Sequence, residues 1–298
     1  MNEVSHSGFI AIVGRPNVGK STLLNAILGE KLAIVSARPQ TTRSRVTGIW
    51  TEPDSQVIFI DTPGLLQPRN RLGEYMVKTV GGSIADVDAA VLVVEPVEEA
   101  APAEEELLRK LRGAGLPTVL VINKIDTLAD KTRLVGVIGA WSARLDFAAV
   151  VPLSAAGGDG LGELKTEILR LLPSGPKFYP DDIYTTDPER AIAAEIIREK
   201  LLRMLADEVP HGTAVEIEKM HTRETGDLTD IEATIYCEKE SHKGIIIGKG
   251  GVMLKKIGTA ARQDIEKMLG GRINLRLWVK VRSDWRNQPG MLHSLGYD

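Results

Sequence analysis

Several features that mark secreted and membrane proteins are absent from this chain of 298 residues. Its one cysteine, Cys237, cannot form an internal disulfide, which fits a reducing cytosol. No apolar run reaches the roughly 18 residues of a membrane-spanning helix, and the first residues lack the basic segment and apolar core of a signal peptide. We therefore expect a soluble, cytoplasmic protein, and we expect it to be a monomer.

A strong net charge is also absent. The formal net charge is −3, so the chain as a whole does not attract nucleic acid, although an average can hide a basic patch beside an acidic stretch. A content of 43% hydrophobic and 26% charged residues is ordinary for a globular protein and argues against disorder. The length allows two domains, and no fixed repeat or low-complexity tract is present.

The first part of the chain alternates short apolar runs with helical patterns. The runs are FIAIV (9–13), VIFI (57–60), AAVLVV (89–94), TVLVI (118–122) and AVVPL (149–153). Runs of this length with helices between them predict buried strands of a mostly parallel sheet, which is an α/β domain.

This alternation stops near Leu172, and a different order follows. Segment 173–188 contains four prolines and little apolar periodicity. We therefore predict a first domain over 1–174, a linker over 175–187 and a second domain over 188–298. The second domain has a predicted helix (188–205), two alternating strands (213–221 and 228–236) joined around Thr225, Gly226 and Asp227, a glycine loop, a helix (252–269) and a strand (272–282).

A phosphate-binding loop is predicted at GRPNVGKS (14–21), which follows a strand and opens a helix. Gly14 and Gly19 would let backbone N–H groups turn around a phosphate, Lys20 would reach the outer phosphates and Ser21 could ligate Mg²⁺. The nucleotide-binding residues predicted here are Gly14, Asn17, Val18, Gly19, Lys20, Ser21 and Thr22.

Two further motifs follow later strands in the order of a nucleotide switch. DTPG (61–64) places Asp61 where it can hold Mg²⁺ through water and Gly64 where its N–H can meet a γ-phosphate. NKID (123–126) selects the base, because the Asp126 carboxylate can accept from both N1–H and the N2 amino group of guanine, and adenine has neither donor. We therefore predict GTP and GDP as ligands.

Other residues complete the predicted guanine site. Asn123 would tie its loop to the phosphate loop, and the stem of Lys124 would cover the base. After the next strand, Ser154, Ala155 and Ala156 can offer backbone N–H groups to guanine O6.

The polar loop 36–48 and the segment 62–75 are the predicted switches. Thr42 is the residue expected to close on Mg²⁺ and the γ-phosphate, and Thr41 is the alternative. The predicted catalytic residues are thus Lys20, Thr42 and Gly64, and the predicted metal-holding residues are Ser21, Thr42 and Asp61.

The glutamine that orients the attacking water in many GTPases is missing, because Leu65 and Leu66 follow DTPG. Either hydrolysis is slow, or a switch backbone amide, an ion or a partner acts instead. One hypothesis is that Asn17 ligates a monovalent cation such as K⁺, which would neutralise transition-state charge; the alternative is that Asn17 only stabilises the loop.

A second glycine loop, GKGG (248–251), lacks the spacing of a triphosphate loop. Its place in the order α-β-β-α-α-β is that of the GxxG loop of a KH module, which clamps about four nucleotides of RNA. Basic residues recur from Lys243 to Arg286, whereas the stretch 181–240 is acid-rich. The predicted RNA-binding residues are Gly248, Lys249, Gly250, Gly251, Lys255 and Lys256.

Taken together, these motifs resemble the Era family of bacterial ribosome-assembly GTPases over nearly the whole chain. The resemblance rests on GRPNVGKST, QTTR, DTPGL, NKID and GIIIGKGG. It implies a Ras-like P-loop GTPase domain followed by an α+β type II KH domain, with Mg²⁺ beside the nucleotide. It also implies a partner, the 3′ end of small-subunit (16S) ribosomal RNA in a 30S precursor. The family's hydrophobic residue after DTPG matches Leu65.

Two other functions remain as alternatives. Basic and apolar residues interleave along the helix after the second loop, as in an interfacial helix of a signalling GTPase bound peripherally at the inner face of the cell membrane, although interfacial aromatics are missing. These residues are Met253, Leu254, Lys255, Lys256, Ile257, Arg262, Lys267 and Met268. An RNA chaperone with vestigial nucleotide binding is disfavoured, because all guanine and magnesium groups are present. The direction of coupling between nucleotide and RNA is left open.

Overall fold

A computed structural model describes residues 5–36, 38, 41–65, 68, 70–224, 226 and 228–297. The chain divides into two compact units, of which the first comprises 1–68 and 76–186 and the second comprises 69–75 and 187–298. No helix within the described ranges is long and apolar enough to cross a bilayer.

The first unit is built on a six-stranded sheet in the order β2-β3-β1-β4-β5-β6. All neighbouring pairs are parallel except β2 with β3. The strands are β1 (His6–Val13), β2 (Val46–Glu52), β3 (Ser55–Asp61), β4 (Ala89–Val94), β5 (Thr118–Ile122) and β6 (Ala149–Pro152). The prediction of an α/β domain with a mostly parallel sheet is confirmed.

One strand of this sheet, β2, was not predicted. The predicted loop 36–48 ends earlier, because Val46 already pairs with Asp61 of β3. A two-residue turn joins β2 to β3, so the pair is an antiparallel hairpin at the sheet edge. Its sequence VTGIWTE is half polar, as an edge strand allows, and therefore lacks the apolar run by which the other strands are recognised.

Five helices accompany the sheet: α1 (Lys20–Leu28), α2 (Arg71–Ala85), α3 (Pro102–Ala114), α4 (Arg133–Ser142) and α5 (Leu161–Leu169). Leu107, Leu108 and Leu111 of α3 pack with β4 and β5 in one buried cluster. Trp141 of α4 is also fully buried there, and its indole N–H donates to the Val97 carbonyl (2.8 Å). This packing holds the carboxyl ends of the parallel strands at one edge, where ligands bind in such folds.

The segment predicted as a linker is attached to the first unit over much of its length. The buried side chain of Gln56 in β3 accepts from the N–H groups of Phe178 (2.8 Å) and Tyr179 (2.9 Å) and donates to the Tyr179 carbonyl (2.9 Å). Further along, the Ile49 N–H donates to the Tyr184 carbonyl (2.8 Å) at the open edge of β2. The segment therefore covers the sheet edge that β2 would otherwise expose.

We expect Gln56→Leu to lower the free energy of unfolding by about 3 kcal/mol, because it leaves three backbone groups at Phe178 and Tyr179 without their partner. Urea denaturation measures the loss, and limited proteolysis of 175–187 locates it. Gln263→Leu, at an exposed site on the second unit, is the control and should change stability by less than about 0.5 kcal/mol. Equal stability of the two variants would contradict the role given to Gln56.

The second unit has a three-stranded sheet in the order β7-β8-β9, in which β7 is antiparallel and β9 parallel to β8. Its elements are α6 (Glu189–Met204), β7 (Ala214–Thr222), β8 (Leu228–Cys237), α7 (Glu240–Ile247), α8 (Val252–Leu269), β9 (Arg272–Val281) and α9 (Pro289–Ser294). The predicted order α-β-β-α-α-β of a type II KH domain is confirmed. Helix α9 was not predicted, and Thr225 and Asp227 of the predicted turn lie outside the described residues.

Two helices of this unit, α6 and α8, pack against one another and cover the sheet. On α8, Ile257, Ala261 and Ile265 are fully buried at a spacing of four residues. On β8, Ile231, Ala233 and Ile235 are buried at alternate positions. The buried faces of helix and strand therefore meet in one core.

Candidate functional site

The phosphate loop connects β1 to α1 and depends on its two predicted glycines. A Cβ added to Gly14 would lie 2.4 Å from the Val93 carbonyl oxygen, and one added to Gly19 would lie 2.2 Å from the side-chain nitrogen of Asn123. Asn17 between them has a left-handed backbone (φ 66°). No larger residue fits at Gly14 or Gly19, so the backbone itself forms the wall of the loop.

Lys20 is buried at the start of α1 and reaches back across the loop. Its Nζ donates to the carbonyls of Gly14 (3.1 Å) and Arg15 (3.0 Å). Burial lowers the pKa of Lys20 to about 8, and the neighbouring carboxylate of Asp61 opposes that shift. A phosphate at this point would stabilise the charged ammonium.

Three oxygen-bearing side chains meet next to Lys20. The Ser21 hydroxyl donates to Asp61 Oδ2 (2.6 Å), and Ser21 Oγ lies 2.9 Å from Thr42 Oγ1. The other carboxylate oxygen, Asp61 Oδ1, is buried and has no hydrogen-bond partner among the described residues. Such a set of hard oxygen donors fits Mg²⁺. Thr42 belongs to the set, whereas the Thr41 hydroxyl donates to the Arg38 carbonyl (2.7 Å), which favours Thr42.

Burial raises the pKa of Asp61 to about 6 from its usual 3.8, against the opposing effects of Lys20 and Ser21. The folded protein therefore binds more protons than the unfolded chain between about pH 4 and 6, and this group's contribution to stability falls as the pH rises through that window. In nucleotide-free protein with EDTA, Asp61→Asn should gain stability over wild type progressively from pH 4 to 7. Denaturant titrations at each pH measure the difference.

Asp130→Asn is the control for this pH dependence. The pKa of the exposed Asp130 is lowered by its hydrogen bonds from Thr132, so its effect has the opposite sign: its stabilising contribution is present above the unfolded pKa and is lost as the pH falls. A difference between Asp61→Asn and wild type that stays constant from pH 4 to 7 would contradict the burial of an ionising Asp61.

A cavity of about 310 Å³ lies over the phosphate loop and these oxygens. Gly64 lines it, and a Cβ at Gly64 would lie 2.5 Å from the Pro16 backbone nitrogen, so only glycine fits there. The side chain of Leu65 points elsewhere, because it is 2% exposed and packs in the core. Leu66 and Gln67 of the predicted second switch, Arg69, and residues 37, 39 and 40 of the first lie outside the described residues.

The NKID loop is bound directly to the phosphate loop. The buried Asn123 side chain donates to the Val18 carbonyl (2.8 Å) and accepts from the Ala155 N–H (3.0 Å). The Ser154 hydroxyl donates to Asp126 Oδ1 (2.6 Å), which leaves the rest of that exposed carboxylate for a ligand. Asn123 therefore joins three loops that follow β1, β5 and β6.

The three residues predicted to meet guanine O6 differ in whether their backbone N–H groups already donate a hydrogen bond within the protein. Ser154 donates to the Asp159 carbonyl (3.0 Å) and Ala155 to Asn123. The exposed Ala156 has no N–H partner in the described part of the chain.

Sequence reasoning missed a set of charged residues at this edge. Arg15 and Lys124 both form ion pairs with Glu95, which follows β4, and Arg15 also pairs with Glu104 at the start of α3. One signal could have revealed Glu95: it is a carboxylate directly after a buried strand, at the same sheet edge as the three motifs.

The second glycine loop joins α7 to α8 in a tight 3₁₀ turn over 249–251. Gly248, Gly250 and Gly251 have positive φ values of 72°, 63° and 80°. A Cβ at Gly248 would lie 2.8 Å from Met253 Cβ, whereas one at Gly250 or Gly251 would meet nothing within 4 Å. The tip of the loop is therefore open to a ligand backbone, and Lys249 in it is exposed.

A groove of about 410 Å³ runs from this loop between α8 and β9. Its apolar lining comes from Leu254, Leu275 and Leu277, and Lys255 and Arg262 supply positive charge. Lys256, predicted to bind RNA, is exposed on α8 but does not line the groove. Arg262 was counted in the basic stretch but not among the predicted RNA-binding residues, and the leucines of β9 were not predicted, because the groove forms only when strand and helix pack.

Fewer basic residues face the groove than the basic stretch from Lys243 to Arg286 suggested. Alternate residues of a strand point to opposite faces, so Arg276 and Lys280 lie on the side of β9 opposite Leu275 and Leu277. There they pair with acidic residues, Arg276 with Glu232 (3.9 Å) and Lys280 with Glu218 (2.9 Å).

Comparison with known proteins matches both halves of the chain. Residues 9–124 match the family model of a 50S ribosome-binding GTPase, and residues 208–286 match that of a KH domain. Among curated relatives, GTPase Era of Geobacter metallireducens is 52% identical over 98% of this chain and 97% of its own length. GTPase Era of Alkaliphilus metalliredigens is 48% identical over 98% of this chain and 99% of its own.

Two solved structures are similar over the same extent. An Aquifex aeolicus Era variant bound to GDP and AlF4⁻ is 38% identical, with a TM-score of 0.94, and 98% of this chain and 99% of that one are covered. A complex of Era with MgGDPNP and nucleotides 1506–1542 of 16S ribosomal RNA is 39% identical, with the same TM-score and coverage. Because relatives of this name are 48% and 52% identical over 98% of its length, the chain belongs to the Era family of GTPases.

Proposed function

We propose that this protein is a GTP-hydrolysing switch that binds the 3′ end of 16S ribosomal RNA and acts in assembly of the 30S subunit. The observation that carries the proposal is that one chain builds both a guanine-nucleotide site, joined by Asn123, and an open GxxG loop with its groove. A relative crystallised with MgGDPNP and that RNA segment supports it.

In the proposed division of labour, a GTPase domain over 1–174 takes the nucleotide and a KH domain over 188–298 takes the RNA, with 175–187 between them. Backbone groups from Gly14 to Thr22 hold the phosphates, Asp126 and Lys124 hold guanine, and the N–H of Ala156 is the best placed of its loop to meet O6. The proposed KH residues are Gly248, Lys249, Gly250, Gly251, Lys255 and Lys256, together with Arg262.

In hydrolysis, a water oxygen bonds to the γ-phosphorus while the bond to the bridging oxygen breaks, giving GDP and phosphate. Lys20 neutralises charge on the outer phosphates, and the Gly64 N–H donates to the γ-phosphate. Ser21, Thr42 and, through water, Asp61 would hold Mg²⁺, which supplies further charge neutralisation when bound. Leu65 is in the core, so water is oriented by another group, and a K⁺ ion at Asn17 is the proposed aid.

The alternative of a lipid-binding helix is not favoured. Ile257, Ala261 and Ile265 of α8 are fully buried, so this apolar side of the helix packs within its own domain. We propose a cytoplasmic monomer.

Phosphate release from GTP and ATP, each in K⁺ and Na⁺ buffers with Mg²⁺, tests the enzymatic part. We expect turnover of GTP alone, and faster turnover in K⁺. Equal rates with ATP would contradict the proposed site, whereas equal rates in the two salts would remove only the cation at Asn17.

A further inference from the structure

A series of ion pairs connects the NKID loop to the phosphate loop independently of Asn123. Lys124 Nζ lies 2.6 Å from Glu95 Oε1, and the other oxygen of Glu95 accepts from the guanidinium of Arg15 in the phosphate loop. Arg15 Nε in turn lies 3.0 Å from Glu104 Oε1. Glu95 is therefore the central link between the lysine of NKID and the phosphate loop.

The far end of this series is anchored in the fold. Glu104 is 1% exposed, and its second oxygen accepts from the Ala101 N–H (2.7 Å) at the start of α3. Glu95 follows β4, whose residues are buried throughout. Glu104 lies in a helix and Glu95 directly follows a buried strand, so the fold positions both carboxylates, and Arg15 and Lys124 are the side chains that they restrain.

The Glu95 side chain is an ionised carboxylate at neutral pH. Partial burial opposes ionisation, but the contacts from Lys124 and Arg15 outweigh it and hold the pKa of Glu95 below its usual value. The carboxylate can therefore pair with both cations at once, one on each oxygen.

The backbone of Lys124 is restrained as well. It has a left-handed conformation (φ 62°), which is uncommon for a residue with a side chain. Its carbonyl accepts from both the N–H (3.0 Å) and the hydroxyl (2.7 Å) of Thr127. With Nζ held by Glu95, Lys124 is fixed at both ends before a base arrives, and it lines the cavity.

We propose that Glu95 is a positioning residue of the guanine site, which holds the ammonium of Lys124 beside Arg15 so that the lysine stem forms a preformed wall for the base. The proposal rests on the proposed function. Asn123 fixes the backbone of the loop, whereas Glu95 fixes the side chain that covers the ligand. Preorganisation of this kind raises affinity because less freedom is lost on binding.

Loss of a salt bridge of similar exposure that had no role in binding would leave the nucleotide affinity unchanged. The side chains of Glu95 and Lys124 are 29% and 35% exposed, and pairs at this exposure contribute little to folding stability. If Glu95 positions Lys124, its loss changes nucleotide affinity much more than the melting temperature.

The test uses the full chain and Glu95→Gln, which keeps the shape of the side chain and removes its charge. We expect the Kd for a fluorescent GDP to rise about tenfold through faster dissociation, as loss of charge-assisted hydrogen bonds implies. The KM for GTP should rise similarly, with a smaller change in kcat and an unchanged melting temperature. Glu98→Gln, three residues along and exposed, is the matched control and should bind as wild type does.

A double-mutant cycle with Lys124→Met gives the decisive comparison. If Glu95 acts through Lys124, the two losses in affinity are not additive, and Glu95→Gln costs little in the Lys124→Met background. Additive losses, or wild-type affinity in Glu95→Gln, would overturn the proposal. Competition of ADP with GDP on the wild-type protein tests the guanine site separately from the positioning role of Glu95. Equal binding of ADP and GDP would overturn the guanine site itself. Selective binding of GDP, together with an unchanged affinity in Glu95→Gln, would overturn only the positioning role.

Discussion

Asp126→Asn should lower the affinity for GTP on the order of 10⁴-fold and make xanthosine triphosphate the better ligand. Guanine presents two donors, N1–H and the N2 amino group, to the Asp126 carboxylate. An asparagine amide would turn its own NH₂ group towards the N2 amino group, which would lose its acceptor and face another donor. Xanthine has a carbonyl oxygen in place of the amino group, so it can accept from that NH₂ group.

The substitution of Asp126 by asparagine preserves the contact of this side chain with the protein. Ser154 holds one oxygen of Asp126 by a bond of 2.6 Å, and an asparagine oxygen can accept the same hydrogen bond. Competition of the two triphosphates against a fluorescent GDP and a fluorescent XDP measures the switch. Asp130→Asn, in the loop that follows, should leave both affinities as in wild type. Retention of wild-type GTP affinity by Asp126→Asn would mean that the base lies elsewhere.

Gly250→Asp should abolish RNA binding while the affinity for GTP stays within a few-fold of wild type. A carboxylate at the tip of the second loop would stand where a phosphate of the RNA must pass. Gly250 is the best place for it, because its left-handed backbone (φ 63°, ψ 21°) is one that aspartate tolerates and a Cβ there has open space. Gly248→Asp is less informative, because its Cβ would clash with Met253.

Gly250→Asn is the matched control, since asparagine has the same size and tolerates the same backbone but carries no charge. Filter binding of an oligonucleotide with the 3′-terminal sequence of 16S ribosomal RNA should show a loss of at least about a hundredfold for aspartate and a much smaller loss for asparagine. Equal losses in the two variants would show that bulk rather than charge blocks the loop. Equal binding by all three proteins would remove the loop from the RNA site.

Much of this molecule can be predicted from its sequence because the signals are local. The phosphate loop, DTPG and NKID each follow a buried apolar run, and the carboxyl ends of parallel strands meet at one edge. The helix over 252–269 and the order around GKGG follow from periodicity and glycine placement alone. The type of fold and the position of each motif at the end of a strand or helix therefore needed no long-range information.

What could not be predicted depends on partners far apart in the chain. Nothing in SQVIF indicates that Gln56 binds the backbone at Phe178 and Tyr179, more than 120 residues away. The pairing of Glu95 with Arg15 and Lys124 likewise spans separate loops. The sequence also did not show which face of β9 each basic residue lies on. A count of basic residues does not distinguish the face that carries Leu275 and Leu277 from the face on which Arg276 pairs with Glu232.

Equilibrium dialysis with a labelled GTP analogue and a labelled oligonucleotide from the 3′ end of 16S ribosomal RNA, both present at saturation with Mg²⁺, tests most directly whether the chain has two separate sites. We predict that one protein molecule retains one nucleotide and one RNA together, and that an ATP analogue does not replace the GTP analogue. Displacement of the nucleotide by the RNA, or equal retention of the ATP analogue, would contradict the account.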